Sequence, residues 1–551
     1  MTEVVAVEDK KRPGSPTRVP HQPKKKIHRR KYKAKEVDPT APLGVLQYEI
    51  KEILHEHNLS EDDISNDMKY VLNDPEAEAQ YHRIVENVKV ISLLSNGDGI
   101  GLIPHPNPLK KFQVVIIPFG IPEDIGTIKV FKTHPLYTES DLLSITAASP
   151  TRNDSLINCR YFGKCSGCQY QNIEYDTQLE LKKQTIINAY KHFAPKLLST
   201  KQLPAILETQ PSPLKYSYRT KLTPHFNVPW SKKGELEYRP NIGFGAKGRP
   251  TWRKDGDFGP DGSIMDIEEC PIGTRIINQG MKNERKRFEQ EFKKYKKGAT
   301  VLLREDTKVG KQGEEVEIGE GSTDENGVVS KIEVDVEGSG EKLVKTCVTN
   351  TRQIVQEYIN GYKFEFSAGE FFQNNNSILP IVTNYVKSNL SIPNSKPDEP
   401  NYLVDAYCGS GLFSITCSSN VSKVIGVEVS ADSVKFAERN AKLNNIENAK
   451  FIVGKAEEIF ASIDTPSDRT SVILDPPRKG CDEVFLNQLS TYHPAKIVYI
   501  SCNVHSQARD VEWFINNTEH GKDYVVESVK GFDFFPQTHH VESVAVLTLK
   551  Q

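Results

Sequence analysis

The stretch NYLVDAYCGSGLFSI, residues 401–415, decides the fold. An apolar run at 402–404 reads as a strand, Asp405 closes it, and the turn Gly409-Ser410-Gly411 opens a helix. The next apolar run, KVIGVEVS, ends near Glu428, nineteen residues after Gly409. Strand, glycine turn, helix and acid-tipped second strand together make a binding unit for an adenosine-type cofactor. The glycines let ligand and backbone approach, and the acid accepts hydrogen bonds from ribose hydroxyls. Ser414 stands where a dinucleotide fingerprint has its third glycine. A cofactor without a pyrophosphate is therefore expected, S-adenosylmethionine foremost. A lone G-x-G is weak, and a plain strand-to-helix turn is the alternative; Asp405 before it and Glu428 after it tell against that.

Downstream, FIVGKA, SVILDPP, KIVYISC and ESVAVLTLK alternate with helical stretches to the end of the chain. This is βαβ alternation and predicts an α/β fold, a doubly wound parallel sheet, in residues 356–551. Asp475-Pro476-Pro477-Arg478 follows one of these strands. Two prolines cannot continue a ladder, so they set a rigid loop at the carboxyl end of the sheet, where ligands bind. Asp475 is expected to point into that crevice, although D-P-P also serves as a mere strand terminator. Cys502, in VYISCNVHSQ, follows the next strand. It is either a packed thiol or a nucleophile placed at a strand end.

Upstream the character changes. Residues 149–355 read as a mixed α+β domain, with 304–345 an exposed hairpin or a long loop on a sheet. Residues 76–148 read as a small β-barrel, because short apolar runs such as FQVVIIPFG and GTIKVFK are separated by Gly, Pro and Asn turns. Residues 1–75 read as a basic disordered tail and a linker helix, the latter from the spacing of Leu46, Ile50, Ile53 and Leu54. The run KKKIHRRKYKAK (24–35) holds eight Lys or Arg and no acid, which the net charge of −2 conceals. It is a nuclear address, a phosphate-contacting arm or a solvated tail. No apolar run approaches the roughly 18–20 residues of a membrane helix, and MTEVVAVEDKK lacks the core of a secretory signal.

Nine cysteines among 551 residues do not make a disulfide scaffold. An intracellular, reducing compartment is expected, with nucleus, cytoplasm and mitochondrion left open. Cys159, Cys165 and Cys168 form a C-x5-C-x2-C metal-site pattern, and Cys270 is the best fourth ligand. Zinc and an iron–sulfur cluster both accept four cysteines. Cys408 lies in the glycine turn, while Cys347, Cys417 and Cys481 read as small core residues. YSYRTKLTPHF (216–226) interleaves aromatic and basic residues. Tyr216, Tyr218, Arg219 and Lys221 are candidates for stacking on bases and contacting phosphates, against the alternative of a solvated hairpin. His539 and His540, adjacent in a strand, would face opposite ways and cannot chelate one ion together.

In this order, DAYCGSGLF, GVEVS, DPPRKG, ISCN and FPQTHHVESVAVL resemble the RNA uracil-5 methyltransferases. FSAGEFFQNN (366–375) is similar to the segment by which that family enters its catalytic domain, and the barrel is similar to the TRAM domain of some members. The resemblance implies Cys502 as nucleophile and Glu542 as general base. It implies Gln373, Tyr407, Glu428 and Asp475 as cofactor contacts or pocket walls. The implied reaction moves a methyl group from S-adenosylmethionine to C5 of a uridine in RNA, through an adduct of Cys502 with C6, with Glu542 removing the C5 proton. Some ribosomal-RNA members carry a [4Fe–4S] cluster on this cysteine spacing, which favours iron–sulfur over zinc. The basic, proline-rich extension looks eukaryotic, and similar eukaryotic members mostly act on tRNA. Uridine 54 of the T-loop is therefore expected ahead of ribosomal RNA. Departures from the family are Ser410 for Asn, Leu412 for a cofactor-contacting Asn, and Val504 for a Pro whose loss is expected to loosen the loop after Cys502. Phe534 and Phe535 are base contacts or, more simply, core. A non-catalytic RNA-binding protein and an N- or O-methyltransferase are the competing classes. The joint presence of Cys502 and Glu542, and Arg478 after the prolines, tell against both.

Overall fold

The computed structural model describes residue 33 and residues 36–228, 236–248, 263–392, 399–455, 459–460 and 463–550. The basic run at 24–35, except Lys33, and the expectation attached to it lie outside the described residues.

Five strands, β1 (Ile84–Leu93), β2 (Gly99–Pro104), β3 (Phe112–Ile117), β4 (Ile125–Thr133) and β5 (Thr138–Ala147), close into a barrel in the order β1-β2-β3-β5-β4. Val88, Val90, Ile103, Val115, Ile117, Ile128 and Val130 fill it, and closure removes exposed sheet edges. The expected linker helix is present at Pro42–Glu56, but it does not link. Leu46, Ile50 and Ile53 pack with Ile100, Val114 and Ile116 of the barrel, while Val45 joins the core of the C-terminal sheet. Helical spacing reveals an apolar face and not the surface that covers it.

The central region contributes β6 (Leu207–Gln210), β7 (Lys221–Leu222), β8 (His225–Phe226), β9 (Ala299–Thr300), β10 (Leu303–Lys311), β11 (Lys331–Val336) and β12 (Glu341–Val348). A sheet of order β11-β12-β10-β7 packs through Leu303 and Cys347 on Ile276, Ile277 and Met281 of the helix Arg275–Glu291. Within 304–345, β10, β11 and β12 are strands of this sheet, as expected of a hairpin on a sheet, and residues 312–330 between β10 and β11 belong to no strand of it. The hairpin β13 (Ile354–Ile359) and β14 (Tyr362–Ser367) begins before residue 356, so a domain boundary at 356 would cut a strand. Its Phe364 and Phe366 pack with Val382 and Leu403 on the C-terminal side.

The C-terminal region carries β15 (Tyr402–Ala406), β16 (Lys423–Glu428), β17 (Ala449–Val453), β18 (Thr470–Leu474), β19 (Lys496–Ser501), β20 (Tyr524–Phe532) and β21 (Glu542–Leu549). With β6 they form an eight-stranded sheet of order β17-β16-β15-β18-β19-β21-β20-β6. β15 to β19 pair in parallel. β21 runs antiparallel to both β19 and β20. Both faces are buried, Val404 and Leu474 in one core and Leu403 and Ile473 in the other, which explains continuous apolar runs in place of alternation. The strand order reverses between β15 and β18, and a crevice at their carboxyl ends follows from that reversal.

Candidate active site

β19 ends at Ser501, and Cys502 is the next residue. Ser501 lies opposite Ser543 of β21. One further step in this antiparallel register sets Cys502 against Glu542, the first residue of β21. Because β21 runs backwards, its start lies at the edge where the parallel strands end. Tyr407, Glu428 and Asp475 share that edge.

The site is dry and acidic. Glu542 is only 4% exposed; burial, reinforced by Asp475, pushes its carboxyl up to about 8. Burial, with Glu542 and Asp475 nearby, pushes the Cys502 thiol up to about 12. Arg478 pulls both down. Burial and then the charge of Asp405 raise Asp475 to about 7. The helix Val504–Asn517 starts two residues beyond Cys502, capped by Asn503, which accepts from the His505 N–H at 3.2 Å. The partial positive charge of such a helix start favours a nearby thiolate.

At the cofactor turn, Tyr407, Gly409 and Gly411 have φ of 66°, 53° and 92°. The Gly409 N–H donates to Glu428 Oε2 at 3.2 Å, so the acid of the second strand reaches the turn. A Cβ on Gly409 would meet open space. On Gly411 it would stand 3.2 Å from Ile415 Cδ1. The Ser414 hydroxyl donates to Asp405 Oδ2 at 2.5 Å, which is the use made of the missing third glycine. Asp405 Oδ1 is buried without a partner among the described residues, and burial raises this carboxyl to about 7. Leu412 is buried in the core. Gln373 is buried in a segment tied to the central region, where the Thr220 N–H donates to the Asn374 carbonyl at 3.0 Å.

Residues 533–541, between β20 and β21, bring Glu542 into place, and the central region grips them. Lys182 Nζ contacts Asp533 Oδ1 at 2.5 Å, and the Tyr175 hydroxyl donates to Asp533 Oδ2 at 2.9 Å. The N–H groups of Gln169 and Tyr170 both donate to the Gln537 carbonyl, at 3.1 and 3.0 Å. The Tyr218 hydroxyl donates to the Pro536 carbonyl at 3.0 Å. At 2% exposure, Tyr218 has no ring face to offer a base, which corrects its reading as a stacking residue. It supports the loop from behind. Lys221 Nζ donates to the carbonyls of Gly369 and Glu370 at 3.3 and 3.4 Å. Arg219 lies 5.4 Å from the centroid of Phe535. Phe534 is core. Phe535 is partly buried, with the His540 ring at its edge, 5.0 Å away. His540 Nε2 is 4.0 Å from Glu542 Oε1, while His539 Nδ1 meets Gln169 Oε1 at 3.0 Å; the two rings diverge. Burial lowers both, to about 4 and about 3, so both are neutral.

A cavity of about 310 Å³ opens on Cys502, Arg478, Asn503 and His540, and its far wall is Asp38, Thr40 and Ala41. No motif announced these N-terminal residues. The Thr40 carbonyl accepts from Asn503 Nδ2 at 3.2 Å, and Arg509 Nη1 donates to its hydroxyl at 3.4 Å. Val504 is the first residue of its helix, a place that favours proline, and it is buried in one core with Val45. The loop that a missing proline was expected to loosen is held instead by the N-terminal segment.

Cys159, Cys165, Cys168 and Cys270 line a second cavity, of about 340 Å³, together with Arg219. The fold thus brings Cys270 to three cysteines a hundred residues upstream. Burial pushes the thiols up, Cys165 to about 12 and Cys270 to about 11, with neighbouring thiolates adding to the shift.

A doubly wound sheet with a glycine turn and an acid at its switch point, and a thiol and carboxyl at the same edge, defines a class: the methyltransferases that work through an adenosine-type cofactor. The model of the tRNA (uracil-5-)-methyltransferase family matches residues 331–550. The chain is 58% identical over 550 residues to the tRNA (uracil(54)-C(5))-methyltransferase of Saccharomyces cerevisiae, covering 98% of this chain and 86% of that one. It is 44% identical over 476 residues to the protein of the same name from Schizosaccharomyces pombe, covering 86% and 80%. The crystal structure of the Pyrococcus abyssi tRNA (uracil-54, C5)-methyltransferase with S-adenosyl-L-homocysteine shares the fold, with a TM-score of 0.54 at 23% identity over 84% of this chain and all of that one. The chain belongs to the tRNA (uracil-5-)-methyltransferase family.

Proposed function

We propose that this enzyme methylates C5 of uridine 54 in the T-loop of tRNA, with S-adenosylmethionine as donor, through a covalent adduct of Cys502. The register of β19 and β21, which sets Cys502 against Glu542 at the crevice, carries this reading. The choice of uridine 54 rests on the names of the two fungal relatives. The turn suits the donor: Gly409 opens to free space, Glu428 stands beside it, and buried acids with raised pKa favour a cation. S-adenosylmethionine supplies an electrophilic methyl on a cationic sulfur.

C5 of uracil is a poor nucleophile. The Cys502 thiolate adds to C6, and electron density moves to C5, which forms its bond to the methyl carbon as the carbon–sulfur bond of the donor breaks. Glu542 then takes the C5 proton, the C6–S bond breaks and the thiolate returns. Arg478 and the start of the helix Val504–Asn517 favour the thiolate. The target base must leave its stack, at a cost of a few kcal/mol; Phe535, with Arg219 on its face, is the surface positioned to receive it. The test is trapping on tRNA that carries 5-fluorouridine, whose C5 fluorine cannot leave as a proton does. Wild type is expected to form a stable complex that Cys502→Ala does not. No complex, or methylation mapped by mass spectrometry to another residue, overturns the proposal.

We also infer a [4Fe–4S] cluster on Cys159, Cys165, Cys168 and Cys270. The four thiols line one cavity of about 340 Å³, and the choice of iron–sulfur over zinc rests on the resemblance of the cysteine spacing to that of cluster-bearing family members. The role is structural: Gln169, next to Cys168, and Tyr170 hold the loop that positions Glu542. Anaerobically purified protein is expected to hold four iron atoms per chain, lost in Cys165→Ser. Stoichiometric zinc without iron contradicts this.

A further inference from the structure

We propose that His493, His520 and Asp523 bind a divalent transition-metal ion, zinc foremost, at a site separate from the catalytic crevice and from the cysteine cavity. The three lie beside the starts of β19 and β20, at the opposite end of the sheet from Cys502. His493 follows the helix Glu483–Tyr492, and His520 and Asp523 flank the short turn before β20.

The donor geometry is the main argument. All three donor atoms lie within 4.8 Å of one another. His493 Nε2 and His520 Nδ1 each stand 3.4 Å from the same atom, Asp523 Oδ2. This exceeds the ~2.7–3.2 Å of an N–H···O bond. These two distances match the edge of a tetrahedron whose metal–ligand bonds are ~2.0–2.2 Å, which is ~3.3–3.6 Å, and the two imidazole nitrogens lie within 4.8 Å of each other. A second observation points the same way: His493 Nε2 is shut off from solvent and has no hydrogen-bond partner among the described residues. Buried imidazole nitrogens are normally satisfied, and this one faces the carboxylate.

The frame is rigid before any ion arrives. The His493 N–H donates to the Leu489 carbonyl at 3.1 Å, and the His520 N–H to the Ser490 hydroxyl at 2.9 Å. The Asp523 N–H donates to the His520 carbonyl at 3.0 Å, and the Asp523 carbonyl accepts from the Lys550 N–H at 2.7 Å. An ion would join a helix end, a turn and the C-terminal residues in one clamp. Two imidazoles and one carboxylate suit zinc, cobalt or nickel; magnesium and calcium prefer all-oxygen shells. Three protein ligands leave a fourth position for water.

The test uses chelator-treated, full-length protein titrated with zinc chloride, with metal stoichiometry and melting temperature as readouts. Wild type is expected to bind one more equivalent than His493→Gln or Asp523→Asn, and zinc is expected to raise its melting temperature further. The cysteine quartet is the same in all three proteins, so its own zinc uptake cancels. Methyl transfer is expected to be unchanged in both variants. Asp523→Asn keeps the shape of the side chain, and equal melting temperatures in chelator establish that the variants fold. Equal stoichiometry and an equal zinc-induced shift in wild type and both variants overturn the proposal.

Discussion

At the residue scale the proposed chemistry rests on two groups, Cys502 and Glu542, that the fold keeps protonated at rest. Glu542 serves as a base only when ionised, and its pKa stands at about 8. Activity, read as kcat/KM, is therefore expected to rise with pH up to about that value. Arg478 lowers both Glu542 and Cys502, so Arg478→Ala is expected to move the rise to higher pH. A profile that stays in place removes Arg478 from the mechanism. Glu542→Gln is expected to cut turnover by ~10²–10⁴-fold and to accumulate covalent complex on ordinary tRNA, because addition proceeds and release does not. Gel separation of the denatured complex checks this. Cys502 was legible as a thiol after a strand, since strand ends in such sheets face the ligand. The part played by Arg478 was not, because a charge acts through space and leaves no pattern along the chain.

At the element scale the cofactor turn and the loop before β21 do the positioning. Gly411 has φ of 92° and a Cβ there would crowd Ile415 at 3.2 Å. Gly411→Ala is expected to weaken S-adenosylmethionine binding about tenfold or more, by calorimetry, a loss of about 1.4 kcal/mol. Asp475 illustrates the cost of a dry acidic crevice. Its pKa is raised from 3.8 to about 7, so the neutral form is the one the fold tolerates. The stability it allows is present below pH 4 and lost as pH rises through about 7. Cofactor-free Asp475→Asn is therefore expected to melt above wild type at pH 8, by calorimetric scan, while transferring methyl groups more slowly. Lys182→Met leaves Asp533 buried without its cation and is expected to cost about 3–5 kcal/mol by denaturant unfolding. The glycine turn was readable because only glycine accepts such backbone angles easily. The grip on residues 533–541 was not, because Tyr218 in a strand looks the same whether its ring is buried or offered to RNA.

At the scale of the whole molecule, the regions are stitched across the catalytic edge. β6 of the central region extends the C-terminal sheet, the central region holds the loop that precedes Glu542, and residues 38–46 wall the cavity over Cys502. Deleting residues 1–46 is expected to uncover Val504, free Asn503 and slow adduct formation on 5-fluorouridine tRNA by ~10–100-fold. An unchanged rate shows that this wall is dispensable. By itself the sequence determined most element types and the glycine turn, because these depend on local rules of backbone angle and apolar period, and it marked Cys502 at a strand end, while the roles proposed for Cys502 and Glu542 came from the family resemblance. Only the tertiary structure decided that β21 runs backwards and brings Glu542 to Cys502. It also decided that Cys270 joins the other three cysteines, that Tyr218 is a support, and that Thr40 replaces a missing proline as the brace of the catalytic loop. Those are contacts between residues far apart in the chain, chosen by which buried faces fit, and no local pattern encodes them.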